Sequence, residues 1–403
     1  MNSIIDGDAR VACAGREVAG AEVCSLYAAL HGVADGRCKR GRRYEAAVVL
    51  TLLIVAKMAG EEHIAGVTQW VREREELLRQ WLPLVHAPCA NTYRYVCAHV
   101  DLQTLQVALA AVFPHAVGVQ ATAEIRHLAC DGKELRGSHR LTANGVQTAQ
   151  GVLGVYDTAS GQMETLAPIE SKGYESRTFR NWLADDAVKR RVAGALLTLD
   201  ALHTQSAVCK AIRKANADYL LVVKHNQRQL CEDIAFLFSQ PPDFWFPERS
   251  TRQVTSGHGR TAIYTLRLSD ELKDYLSDRW SGVQQVFQLE RKVTRRSRQG
   301  TKTSHELVYG FTSLPANRAS PEQVLAYLQR HWRIENRSHW RRDVTLGEDR
   351  LQLSCKAAAL VISVLNCFIL ALFDHLNITN CHQAMRHYNA HPEKALSILT
   401  QPL

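Results

Sequence analysis

The sequence predicts a mixed α/β fold preceded by a helical region and interrupted by a β-rich segment. Three observations carry this. Apolar residues recur at helical spacing across residues 20–115. From residue 124 short apolar runs alternate with helical stretches, a strand meander followed by strand–helix–strand. Residues 250–312 read as β, with basic turns such as RRSRQGTK.

Taken in order, AEVCSLYAALHGV is the first helix. ADGRCKRGRRYE then brings Arg37, Lys39, Arg40, Arg42 and Arg43 together, either as a solvated loop or as a phosphate contact. An apolar helix at 45–58 follows, then IAGVTQWVREREELLRQWL. Pro83 and Pro88 break the pattern before NTYRYVCAHVDLQTLQVALAAVF, where Asn91 or Thr92 could cap a helix. EIRHLACDG reads as a strand, and QGVLGVYDTASGQMETLAPI as two strands turning at Asp157–Gly161. Helical SRTFRNWLADDAVKRR, strand GALLTLD, helical QSAVCKAIRKAN and strand DYLLVVK come next. Helix signals return in SPEQVLAYLQRHWRIENRSHWRRD, where Ser320 and Gln323 form a capping box and Pro321 takes the first helical position.

Bulk properties bound the function. The 403 residues suffice for two or three domains with their own cores. Apolar content of 46% against 22% charged residues describes a globular chain. A net charge of +9 favours polyanionic partners such as nucleic acid, although many unrelated soluble proteins share it. Eleven cysteines occur with no CxxC pair, which argues against a zinc ribbon or a redox dithiol. They are expected as small buried apolar residues, Cys130 included. The odd number and the lack of a basic-then-apolar leader argue against a secreted disulfide scaffold. AAVVLTLLIVA (46–56) is too short to span a bilayer, and AAALVISVLNCFILALF (357–373) carries Ser363 and Asn366. Both read as buried helices of a cytoplasmic protein with no membrane partner.

Three carboxylates attract attention. Strand HLACD ends on Asp131 and strand LLTLD on Asp200, and acids at the ends of neighbouring strands can face one another. They repel unless cations lie between them. Glu335 lies in the helix that starts near 321; at α spacing it shares a face with His331, Ser338, His339 and Arg342. Trp332 and Trp340 read as core, with base stacking as the other reading. Three converging carboxylates make an oxygen-rich site for Mg²⁺ or Mn²⁺. Two such ions about 4 Å apart can hold both oxygens of an in-line phosphoryl displacement. Other readings stand beside these. Asp131–Gly132 is a turn signal, Asp200 could cap a helix, and Glu335 could pair with Arg333 or Arg337. His203, near Asp200, could orient a water, contact DNA or act as a polar cap. Lys224, Asn226 and Gln227 follow a strand expected to end on the same edge as the two Asp; they could contact phosphate, base or sugar, or form a polar turn. His258 and Arg260, flanked by Gly257 and Gly259, form either a DNA-facing loop or a plain hairpin tip.

In combination these residues resemble the bacterial insertion-sequence transposases related to the H-repeat-associated proteins. CDGKELRGS (130–138), TLDALHTQ, YLLVVKHNQ (219–227), GHGR (257–260) and HWRIENRSHWRRDVTLGEDR (331–350) match that family's segments in order, and RCKRGRRYEAAVVLTLL resembles its associated helical domain. The resemblance covers about residues 25 to 370. It implies an RNase H-like mixed sheet flanked by helices and DDE chemistry, with Asp131, Asp200 and Glu335 as catalytic residues and metal ligands. It implies two Mg²⁺ per site, with Mn²⁺ able to substitute, and no organic cofactor. Contacts to double-stranded DNA at element ends and target are implied for Lys133, Arg136, Lys224, Asn226, Gln227, His258, Arg260, His331 and Arg342, and the Lys39, Arg40, Arg42 and Arg43 loop would help bind the ends. A homodimer working on DNA in the bacterial nucleoid follows from the need to join two ends. The expected domains are 1–118 (helical, DNA-binding), 119–249 and 313–374 (catalytic core), 250–312 (β-rich insertion) and 375–403 (helical tail). Some positions depart from the family. SKGYES stands where it has Lys-Ser-Asn-Glu, leaving Lys172 and Glu175 in register. In related transposases the places of His331 and Arg342 hold Arg and Lys. A catalytically degenerate DNA-binding relative, or a nuclease without strand transfer, is the alternative.

Overall fold

The structure, a computed structural model, describes residues 24–113, 125–141, 147–171, 173–239, 249–257, 259–297 and 300–402. The chain packs as two compact units, Met1–Val119 with His382–Leu403, and Gln120–Cys381.

The first unit is helical. Its described helices are α1 (Leu26–Leu30), α2 (Ala46–Met58), α3 (Ile64–Glu73), α4 (Glu75–Arg79), α5 (Ala90–His99) and α6 (Leu102–Ala110), with two more from the C-terminal stretch. Every residue of α2 is buried, which explains its unbroken apolar run. Two expected long helices are each split. Arg74 leaves helical geometry between α3 and α4, and Asp101 caps α6 by accepting from the Thr104 N–H at 2.8 Å. The expected cap at Asn91 or Thr92 is corrected: α5 already starts at Ala90, behind Cys89. The basic loop is partly scaffold. Arg37, buried, reaches Asp35 at 2.8 Å, and Arg42 reaches the same carboxylate at 3.3 Å. Arg42 is therefore tied to its own loop, while Lys39, Arg40 and Arg43 are exposed.

The second unit is built on a single sheet. Its strands are β1 (His127–Leu141), β2 (Gln147–Asp157), β3 (Met163–Ile169), β4 (Leu196–Leu199), β5 (Asp218–Val223), β6 (Ser250–Gly257), β7 (Arg260–Ser269), β8 (Gln285–Ser297) and β9 (Gly300–Thr312). Their order is β3-β2-β1-β4-β5-β9-β8-β7-β6. The meander β1–β2–β3 is antiparallel, while β4 and β5 run parallel to β1. This is an RNase H-like mixed sheet. The β-rich segment continues it, because β9 pairs antiparallel with β5. Helices α7 (Glu175–Ala184) and α8 (Asp186–Val192) replace the one helix expected there, since Asp185 caps the second by accepting from the Ala187 N–H at 2.7 Å. Helices α9 (Ser206–Lys214), α10 (Arg228–Ser239), α11 (Lys273–Ser277), α12 (Pro321–His331), α13 (Trp340–Val344) and α14 (Lys356–His375) complete the unit.

Strand alternation divides the core. Leu128, Cys130, Leu197, Leu199, Leu221 and Phe311 pack on one face of the sheet. Leu196, Leu220, Leu266 and Phe287 pack on the other, against Val324, Tyr327 and Leu328 of α12. Helix α14 is long and apolar enough to cross a membrane, but 89% of its apolar window is buried inside the protein. Asn366 on it donates to Glu348 at 2.8 Å. No disulfide joins the described cysteines, and the expectation that all are buried is corrected at Cys38 and Cys89, which are exposed.

Candidate active site

Asp131 comes from β1 and Asp200 from the end of β4. Cys130 pairs with Leu199 across these parallel strands. The next residues, Asp131 and Asp200, are therefore neighbours across an interstrand spacing of about 4.8 Å. Alternation also settles their face. Cys130 and Leu199 enter one core, so Asp131 and Asp200 share the opposite face with Ala129 and Leu196. Ala129 packs there against Ile334, the neighbour of Glu335.

The segment bearing Glu335 begins as expected, on the Ser320–Gln323 capping box with Pro321 in the first turn. It does not continue as a regular α-helix. Ile334–His339 forms a π turn, and the Trp340 N–H reaches back five residues to the Glu335 carbonyl. The additional residue in that turn rotates everything after it. The shared face expected for His331, Glu335, Ser338, His339 and Arg342 is thereby corrected. Glu335 is exposed, Ser338 and Arg342 are buried, and His339 turns to Asp131. Trp332 and Trp340, expected as core, are 52% and 57% exposed.

The electrostatics tie the acids together. Burial, then Asp200 and Glu335, push the Asp131 pKa up to about 7, against one hydrogen bond from the Gly132 N–H at 2.9 Å. Glu335, although exposed at its surface, is raised by the partial desolvation of its carboxyl. The mutual penalty falls on Asp131, the most enclosed of the three. Histidines flank the pair. His339 Nδ1 lies 3.4 Å from Asp131 Oδ2. Burial, with Arg342 and Lys133 nearby, holds His339 far below the usual imidazole range, so it is neutral. His203, buried, sets Nε2 3.9 Å from Asp200 Oδ1 and Nδ1 3.3 Å from Ser176 Oγ. Glu175 adds a buried Oε2 without a hydrogen-bond partner among the described residues. Beneath the acids a polar chain crosses the sheet. Thr158 Oγ1 lies 3.2 Å from His127 Nδ1, His127 Nε2 lies 2.8 Å from Thr198 Oγ1, and that hydroxyl lies 2.9 Å from His331 Nδ1.

Three carboxylates supply hard oxygen donors, which by chemistry suit Mg²⁺ or Mn²⁺. The raised Asp131 pKa is the penalty that a cation would remove. Among the described residues no three His, Cys, Asp or Glu side chains are gathered into a ready cage. Like charges without a cation share a neighbourhood rather than a coordination sphere.

The remaining expected DNA contacts divide. Arg342 is corrected: it is fully enclosed and bound to Glu348 at 2.5 Å and 3.0 Å. Lys133 is corrected too, its ammonium held by Asp343 at 2.7 Å and by Asp349 at 3.5 Å. His331 spends Nδ1 on Thr198. Asn226 and Gln227 donate their amides to the carbonyls of Ala201 at 2.6 Å and Thr204 at 3.0 Å, so they brace the loop after β4 instead of reading bases. Arg136 is 71% exposed, and Lys224 is exposed in extended backbone two residues past Val222. Arg260 is half-buried. His258 and Lys172 lie outside the described residues. Sequence reasoning raised His203 as a residue that could orient a water or contact DNA, kept Glu175 in register with the family motif and set His339 on the face of Glu335, but gave none of the three the carboxylate-flanking place they take here.

Comparison with known proteins decides the family. The sequence model for the transposase DDE domain matches residues 122–372, more than half of the chain. This chain belongs to the DDE transposase family. The model for the domain associated with that family matches residues 27–112. Similar proteins include the "Putative transposase YncI" of Escherichia coli O157:H7, 23% identical over 84% of each chain. The "H repeat-associated putative transposase YhhI" of Escherichia coli (strain K12) is 25% identical over 59% of this chain and 61% of its own. A protein described only as uncharacterized, in the dhlA 3' region of Xanthobacter autotrophicus, is 26% identical over 60% of this chain and 79% of its own. A piggyBac transposase synaptic complex with hairpin DNA superposes loosely, with a TM-score of 0.41 and 11% identity over 89% of this chain and 75% of that one.

Proposed function

We propose that this DDE transposase-family chain cuts DNA at insertion-sequence ends and joins the freed 3′ end to target DNA, with Asp131, Asp200 and Glu335 holding two divalent cations. One observation supports this most. The parallel register sets Asp131 beside Asp200 on the face turned to Glu335, and both companions raise the Asp131 pKa. When bound, Mg²⁺ or Mn²⁺ supplies Lewis acidity at the attacking and leaving oxygens of phosphoryl transfer.

The tasks of the side chains follow from their surroundings. Asp131 carries a proton through much of the weakly acidic range and must release it to act as a ligand. Neutral His339 fixes the orientation of that carboxylate through Nδ1. His203 and Ser176 restrain the loop at Asp200. Lys224, exposed, and Arg136, 71% exposed and only loosely paired with Asp349 at 3.9 Å, present charge for backbone phosphates. Because two ends are joined in one event, a homodimer on DNA is part of this reading.

The test is a cleavage and joining assay with the full chain, Mg²⁺ and a duplex carrying the inverted repeat that brackets the reading frame. Cleavage followed by joining is expected. Binding without cleavage selects a degenerate relative, and cleavage without joining selects a nuclease.

A further inference from the structure

The strands β6–β9 carry charge on the same face of the sheet as the acids. Leu199 pairs with Leu221, so Asp200 lies in a row with Val222. Val222 pairs with Gly310, Gly310 with Phe287, and Phe287 with Leu268. Cross-strand partners share a face, and the packing of Phe287 and Leu268 under α12 agrees with this assignment. Lys302 lies further along β9 at the same parity as Gly310. It pairs with Arg295, which pairs with Arg260. Three cations thus stand in one row across β7, β8 and β9.

Directly opposed like charges destabilise a sheet. Among the described residues no carboxylate forms an ion pair with Arg260, Arg295 or Lys302, and Arg260 Nε is buried without a partner. The outermost acid on this face, Glu306, faces Arg291 at 3.5 Å. The row therefore lacks a counter-charge. The run along β9 from Gly310 to Lys302 spans about 27 Å, and the lateral step from the acids to β8 about 17 Å, which together give about 30 Å. B-DNA returns to the same side every 34–36 Å or so.

We propose that the Arg260–Arg295–Lys302 row grips the backbone of the DNA duplex about one helical turn from the phosphodiester placed at the carboxylates. The proposal rests on the DNA-cutting reading of that site and adds a second, distant anchor. A duplex is the occupant because its regular phosphate spacing matches an unpaired basic row set one turn away on the catalytic face.

The test measures how the full chain binds a 30-bp duplex of arbitrary sequence as salt is raised, with Ca²⁺ replacing Mg²⁺, and separately follows Mg²⁺-dependent cleavage. Each phosphate contact contributes about 0.9 to the slope of log affinity against log salt. The triple variant Arg260→Gln, Arg295→Gln, Lys302→Gln is expected to flatten that slope by about 2 to 3. The variant Arg252→Gln, Lys292→Gln, Arg296→Gln removes the same charge from the opposite face and is expected to change the slope by less than about 1. Circular dichroism checks that both variants fold. Equal flattening in the two variants overturns the proposal, since net charge alone would then explain it. An unchanged slope in the first variant, with wild type still binding and cutting, overturns the proposal and leaves the site reading intact. Failure of wild type to bind DNA overturns both.

Discussion

Arg342 and Glu348 form a fully enclosed ion pair, with Nη2 to Oε1 at 2.5 Å and Nε to Oε2 at 3.0 Å. Burial drives the Glu348 pKa up, but Arg342 and Asn366 outweigh it and hold the carboxylate below its usual range. Ser363 on α14 also accepts from Arg342. The pair therefore pins the turn after α13 to α14. Removing one partner strands the other charge, so Arg342→Ala should cost about 3–5 kcal/mol, whereas Arg342→Met with Glu348→Leu should recover much of that loss. Urea unfolding measures both. A stability loss below about 1 kcal/mol in Arg342→Ala would show that the charge finds water and is not enclosed.

Asp131, Asp200 and Glu335 are expected to act as one unit. Replacing any of them with Asn, or Gln for Glu335, should drive Mg²⁺-dependent cleavage below detection and leave duplex affinity within a few-fold of wild type. A variant that cuts at the wild-type rate removes its residue from the site. Without divalent ions, Asp131→Asn should also be more stable than wild type at pH 8. Native Asp131 holds its proton up to about 7, whereas the unfolded carboxyl loses its proton near its ordinary value of 3.8, so wild-type stability falls as pH rises between them.

Much of this site was legible because its signals are local. Strand HLACD, strand LLTLD and the Ser320–Gln323 box declare themselves within a few residues, and alternation then assigns each Asp a face. What was not legible depended on distant partners. Lys133 read as a surface cation because its partner Asp343 lies far along the chain, and Arg342 did so because its enclosure, with Ser363 and Asn366 around the Glu348 pair, comes from packing against α14. The π turn at Ile334–His339 uses residues that also suit an α-helix, so α spacing misplaced Ser338, His339 and Trp340, whereas Trp332, which precedes the turn, read as core from its residue type alone. The pairing of β9 with β5 joins residues far apart in sequence, which hid the continuity of the β-rich strands with the sheet.

Gly137 tests how closely β1 meets the turn after α13. A Cβ placed there would lie 2.0 Å from the Leu351 carbonyl oxygen and 2.9 Å from that of Glu348, and the Gly137 carbonyl accepts from the Leu353 N–H at 3.0 Å. Gly137→Ala must push the strand off this turn and should destabilise by roughly 2 kcal/mol or more. Gly132→Ala meets Glu175 Cγ at 3.5 Å and Ile169 Cδ1 at 3.9 Å, both ordinary contacts. Thermal melts of the two variants should separate clearly; matching melting temperatures would remove the close approach as the reason for Gly137.

His127 gives the fold an acid sensitivity of calculable sign. Burial, then His331, Arg330 and Arg333, push its pKa down to about 3 from the ordinary imidazole value of 6.5. Below about 6.5 the unfolded chain takes up a proton that the native ring refuses, so stability present above that pH drains away as pH falls toward 3. The slope approaches about 1.4 kcal/mol per pH unit, or about 2 kcal/mol between pH 6.5 and 5. His331, also depressed by burial, adds a slope in the same direction. His127→Gln keeps an amide for Thr198 and Thr158 and removes the titration. Its urea midpoint should fall less than that of wild type between pH 7.5 and 5, by an amount worth about 2 kcal/mol. Parallel losses in the two proteins would mean that native His127 takes up its proton over the same pH range as the unfolded chain, which would exclude the depressed pKa that burial gives it.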